Sequence, residues 1–289
     1  MANPTTSRPL SQRILDLWGR LPIALRAVLL GFTVLVLGQA PFGVLLYVNL
    51  KLSPALPWFL PATWLWLWMF WRFLDGRGWP RIGAERRRAL LRSTPLSRSA
   101  WGWALLAGGL GLAAALVLAL LTGLLAPLPD EAYAAPHDLS SLPSWTILAC
   151  FLGLASVAGV VEEAAFRGYM LSLLQTRYGW VIGILVVAVL FYLVHRTHAY
   201  ATWAFVPFFM AYSSVHGLLV YLTRSIRPSV LLHAVGDFCI LPIQYGVIAS
   251  PLGTSVGLHV VAVSFLAAVA AFAFRQLTAQ APPFHHHAE

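Results

Sequence analysis

The sequence predicts an all-α polytopic membrane protein, with about eight transmembrane helices enclosing a polar intramembrane cavity. Three observations predict it. First, 59% of the 289 residues are apolar and only 10% are charged, whereas soluble domains carry about 25% charged residues. Second, the apolar runs are long and do not alternate, which favours helices over a barrel. Third, ionisable residues recur inside the apolar runs of the second half, where burying a charge in lipid is costly and marks functional positions by default.

The elements follow in order. Residues 1–22 form a polar segment with Arg8, Arg13 and Arg20. The apolar run at about 23–49 is far longer than a signal-peptide core and reads as an uncleaved first helix. A turn from Lys51 to Pro57 precedes a second span at about 57–73, whose Trp58, Trp64, Trp66, Trp68 and Trp71 suit the membrane interface. Residues 75–99 are a basic cytoplasmic loop with seven arginines, read as a solvated topogenic loop in preference to a specific binding site, with an amphipathic helix on anionic lipid as the alternative. The third span, about 101–126, leads to an acidic loop at 127–143 with Asp130, Glu131 and Asp138. Further spans are expected at about 145–175, 180–195, 201–223, 228–248 and 256–274, with turns at Gly179-Trp180, Arg224 to Pro228 and Ser250 to Gly253. A polar tail with three histidines ends the chain.

Charge tests this layout. With the N-terminus inside, the arginines fall almost entirely on inner segments and the acidic loop lies outside, as the positive-inside rule requires. The net charge of +9 therefore needs no nucleic-acid partner. Both termini are expected to be cytoplasmic. Cys150 and Cys239 lie in apolar runs without a C-x-x-C pair and read as small core residues.

The chemistry concentrates at Glu162-Glu163-Ala164-Ala165-Phe166-Arg167. Four residues apart on a helix, Glu163 and Arg167 share a face and can pair. Glu162 points about 100° away and can stay free. Three further sites follow: Phe191 with His195 and His198; His216; and His233 with Asp237 at i, i+4. Taken singly, each histidine suits packing. Together with the carboxylates they lie on successive apolar segments that a bundle can converge on one cavity. A carboxylate in a poorly solvated pocket is a competent general base for water, and histidine can orient that water or donate to an oxyanion. That set suits amide hydrolysis. His and carboxylate also suit a divalent metal.

In order and spacing, E-E-x-x-x-R, F-x-x-x-H and H-x-x-x-[N/D] over residues 145–250 resemble the CPBP family, the CAAX-prenyl endopeptidase and bacteriocin-processing (ABI) intramembrane proteases. The resemblance implies a glutamate-type endopeptidase with eight helices, a catalytic core at 145–250, and flanking regions at 23–144 and 251–289. It implies that Glu162 activates water and His195 helps position it. Glu163 and Arg167 would pair and shape the site, His233 with Asp237 would form the oxyanion pocket, and Phe191 would pack the cavity. His198 matches an additional histidine of the prenyl-endopeptidase branch. At position 237 the family often has Asn, and an ionised Asp cannot donate a hydrogen bond. The resemblance assigns no role to His216.

The expected partners are membrane lipids and a membrane-anchored or lipidated substrate cut near its C-terminus, with no required cofactor. The expected location is a bacterial inner membrane. The alternatives are a metal-dependent form of the same protease and a non-catalytic immunity or interaction protein of the same fold. A transporter is disfavoured because no internal repeat is visible.

Overall fold

The computed structural model describes residues 17–126, 128, 141–245, 247 and 252–280. Most of the 1–22 segment, nearly all of the acidic 127–143 loop and the histidine tail lie outside the described residues. Among those described, the chain is helical and contains no strand. Its helices are α1 (Ile23–Leu52), α2 (Phe59–Leu74), α3 (Ala84–Leu91), α4 (Arg98–Leu125), α5 (Ser144–Val157), α6 (Leu171–His195), α7 (Val206–Thr223), α8 (Arg227–Gln244) and α9 (Val256–Gln280).

Five helical stretches among the described residues are long and apolar enough to cross a membrane. They are Ile23–Leu52, Arg98–Leu125, Ser144–His195, Trp203–Thr223 and Val256–Gln280. The chain is an integral membrane protein. The 52-residue Ser144–His195 stretch is not one straight rod. Gly179 adopts φ 77° and ψ 170°, a conformation open essentially to glycine alone. The two arms fold back on each other there, and the rings of Phe166 and Phe191 meet edge-on at 5.2 Å.

Between α5 and α6 the helix is π-helical from Ala158 to Met170, with hydrogen bonds closing one residue later than in an α-helix. Such turns are rare and concentrate at functional sites. The rotation of about 100° between neighbours belongs to the α-helix; the wider π turn sets Glu162 and Glu163 instead. Ten of the thirteen residues here are buried, because helices crowd the segment on several sides. Small residues make that approach possible. A Cβ on Gly38 would meet Val161 at 2.4 Å, and one on Gly31 would meet the Met170 side chain at 2.6 Å. Against α8 the contact is with backbone: a Cβ on Gly159 would lie 2.8 Å from the Val230 carbonyl oxygen and 2.9 Å from the Ala234 nitrogen. α9 packs along α4 on the far side, where Leu277, Ala104 and Leu219 share a smaller core.

Gly159→Val is accordingly expected to push α8 away from the π segment and cost about 1–3 kcal/mol, the usual penalty of overpacking. Thermal melting of the detergent-solubilised protein measures it. An unchanged melting temperature would contradict the close approach.

Candidate active site

The π segment delivers its two carboxylates to different surroundings. Glu163 is fully buried. Its Oε1 accepts from Arg167 Nη1 at 2.9 Å and from His233 Nδ1 at 2.7 Å. Its Oε2 accepts from Ser229 Oγ at 2.5 Å. Ser229 thereby spends its one proton, so His216 Nδ1, 2.7 Å away, must be the donor to Ser229 Oγ. Arg167 is itself fully buried and gives Nη2 to Ser213 Oγ at 2.9 Å. Its guanidinium lies over the Phe191 ring at 4.6 Å. A buried charge pair holds only when extra hydrogen bonds offset its desolvation; here they saturate Glu163, while Arg167 uses Nη1 and Nη2 and leaves Nε without a partner.

Glu162 differs in every respect. Its side chain keeps 13% exposure. Oε1 accepts one hydrogen bond, from Gln39 Nε2 of α1 at 3.1 Å. Oε2 lies 3.8 Å from His233 Nε2, beyond hydrogen-bond distance. Asp237 stands on the same side of that ring, with Oδ2 at 3.6 Å from Nε2, and its Oδ1 accepts from Tyr212 OH at 3.3 Å.

His195 closes the group. Its Nδ1–H donates to the Phe191 carbonyl at 2.8 Å, so the neutral ring keeps a lone pair on Nε2. The Phe191 ring sits 4.4 Å from the His195 ring, wedged between it and Arg167. His198 follows on the connecting loop, its ring 5.9 Å from His195 and stacked on Tyr200 at 5.2 Å. Burial, with His195 beside it, holds the His198 imidazole below its ordinary range.

A cavity of about 1100 Å³ joins these groups. Glu162, His195, His198, His233 and Asp237 all line it, while its remaining wall is mostly aromatic and aliphatic. A large apolar cavity with a few convergent polar groups is the default binding-site geometry.

Every candidate site residue named from the sequence therefore lies in one neighbourhood, whereas Cys239, expected in the core with Cys150, is exposed and only Cys150 is buried. Glu162, Glu163, Arg167, His195, His233 and Asp237 meet directly or across the cavity, and Phe191 and His198 support them. Reasoning from sequence missed Gln39, Tyr212, Ser213 and Ser229, and left His216 without a partner. Gln39 carried a signal, being an amide in the middle of the first apolar run. Nothing in the spacing of Ser229 points to Glu163.

Two donor sets bear on a metal. Glu163, His216 and His233 offer ligand atoms within 4.8 Å of one another. They do not fit a cation, because both Glu163 oxygens are already occupied and a guanidinium stands beside them. The second set is Glu162, His233 Nε2 and Asp237. Its histidine donates Nδ1–H to a carboxylate, the usual support of a metal-bound imidazole.

Compared with known proteins, residues 143–239 match the Rce1-like family, described as type II CAAX prenyl endopeptidase Rce1-like. Its members are in general proteases. No curated protein and no solved structure matches the chain.

Proposed function

We propose that this protein, whose residues 143–239 are Rce1-like, is an intramembrane endopeptidase that hydrolyses a membrane-anchored or lipidated protein near its C-terminus. The observation that carries this reading is the asymmetry of the glutamate pair. Glu163 is saturated by Arg167, His233 and Ser229, whereas Glu162 keeps one oxygen unengaged on the cavity wall. Only a carboxylate with a free oxygen facing a cavity can take a proton from water.

Glu162 accepts that proton, and the hydroxide adds to the scissile carbonyl carbon. His195, through the Nε2 lone pair, orients the water. The tetrahedral oxyanion then needs donors. Both nitrogens of His233 face acceptors, Glu163 on Nδ1 and Asp237 before Nε2, so the doubly protonated ring would offer Nε2–H to the oxyanion. Asp237 acts by holding that ring, since an ionised carboxylate cannot donate. On collapse the C–N bond breaks and the Glu162 proton passes to the leaving amine, giving one acid and one amine. The apolar wall of the cavity suits a lipid chain or an apolar peptide segment.

In the same reading residues 145–250 form the catalytic core, and residues 23–144 and 251–289 flank it. The chain crosses the membrane about eight times, with α2, α8 and the two arms at Gly179 as separate crossings. Both termini lie on the cytoplasmic side, which is the positively charged side of the layout, in a bacterial inner membrane.

The test uses the full-length protein in liposomes and a peptide carrying an S-isoprenyl cysteine near its C-terminus. Cleavage on the C-terminal side of that cysteine, with little cleavage of the same peptide lacking the lipid, is the expected result. Equal cutting of both peptides would remove the lipid from the proposal, and cutting of neither would remove this substrate class.

One observation favours a second reading, a metal-dependent hydrolase. A neutral His233 with Nδ1–H on Glu163 has its Nε2 lone pair facing Glu162 and Asp237. Those three would hold a divalent ion, which would polarise the substrate carbonyl. Chelation decides between the two: the metal-free reaction predicts unchanged cleavage after dialysis against a strong chelator. Loss of activity that zinc restores would establish the metal.

A further inference from the structure

We propose that the tip formed by Trp79, Pro80, Arg81 and Ile82 is a membrane-surface anchor whose occupant is anionic phospholipid. Its two apolar side chains seat at the headgroup–acyl boundary, and Arg81 and Arg86 bind the phosphates. The tip lies outside the long apolar stretches, between the end of α2 and the start of α3. Trp79 and Ile82 are nonetheless 88% and 86% exposed. In water that display is unfavourable, whereas indole at a bilayer interface is in its preferred environment.

The tip is also built to stay in place. Arg87 donates Nε to the Phe73 carbonyl at 2.7 Å and Nη2 to the Pro80 carbonyl at 2.8 Å, while Nη1 bonds the Ile82 carbonyl. Its guanidinium lies 4.2 Å over the Phe73 ring. One side chain thus ties three backbone carbonyls, fixing the tip to the end of α2.

The charges complete the match. Asp75, buried at the base of the loop, is spent on Arg77 at 2.6 Å. Exposed Arg81 and Arg86 have no acidic partner among the described residues. Two unpaired guanidiniums flanking two exposed apolar side chains fit a phosphate layer above an acyl layer. Neither part of that arrangement involves the cavity or the glutamates, so this inference stands apart from the proposed hydrolysis.

Spin-label accessibility tests it on the full-length protein. In a Cys150→Ala, Cys239→Ala background, Ile82→Cys carries a nitroxide and keeps the backbone carbonyl that Arg87 binds. The protein is placed in nanodiscs of phosphatidylcholine with or without phosphatidylglycerol. With the anionic lipid, the label should be more accessible to oxygen than to an aqueous nickel chelate. Arg81→Gln with Arg86→Gln should move it toward water, as should removing phosphatidylglycerol. Retention of phosphatidylglycerol through purification should fall about fivefold for each arginine removed. Arg81→Lys with Arg86→Lys should restore insertion, which a folding defect would not allow. A label in water under every condition would overturn the proposal. So would one equally inserted with and without anionic lipid and indifferent to the arginines.

Discussion

Arg167→Met should cost about 3–5 kcal/mol of stability, the usual consequence of leaving one charge of a buried pair uncompensated. Arg167 and Glu163 each have 0% side-chain exposure, so water cannot replace the lost partner. Methionine fills much of the arginine volume, which keeps the cavity contribution small. The loss should extend beyond the pair, because Arg167 also anchors Ser213 of α7 and packs on Phe191. The control is the double variant Arg167→Met, Glu163→Gln. It removes both charges and should recover a large part of the loss, since a neutral pair is cheap to bury. Thermal melting in detergent measures both variants. Equal melting temperatures for wild type and Arg167→Met would show that the pair is not buried as described.

The second large effect is on rate. Glu162→Gln should lower kcat by about 10²–10⁴, the range that general-base catalysis supplies, with little change in KM, since uniform binding is untouched. The fold should survive. Glu162 makes one side-chain hydrogen bond, to Gln39, and glutamine can still accept it. Glu163→Gln should behave differently. It weakens the hold on Arg167, Ser229 and His233 together, so both melting temperature and kcat should drop. Loss of rate without loss of stability at Glu162, and loss of both at Glu163, is the signature of one reacting and one positioning carboxylate.

Much of this was legible in the sequence because it depends on local spacing. The Glu163–Arg167 pair and the facing of His233 and Asp237 are both i, i+4 relations, and both appear in the structure. The reversal at Gly179 coincides with the turn marked by Gly179-Trp180, where φ 77° requires glycine. The limits of the apolar runs track the helices closely, although among the described residues five stretches rather than eight are individually long and apolar enough to cross.

The rest was hidden for physical reasons. Which glutamate is saturated depends on partners far away in the chain: Gln39 is 123 residues from Glu162, and Ser229 is 66 from Glu163. No periodicity within one helix encodes such contacts. His216 illustrates the point, since its environment is set by Ser229 across the interface between α7 and α8. The π-helical form of Ala158–Met170 has no marker in composition. The match over residues 143–239 stops short of α1, so Gln39 lies outside what family resemblance could have indicated.

The most direct measurement compares the termini of membrane proteins in cells expressing wild type or Glu162→Gln at matched levels. Glu162-dependent hydrolysis predicts at least one membrane protein that keeps a C-terminal segment in the variant and loses it in wild type. Identical termini in both, with wild type folded and abundant, would contradict it and favour a protein that holds a membrane partner in the cavity without cutting it.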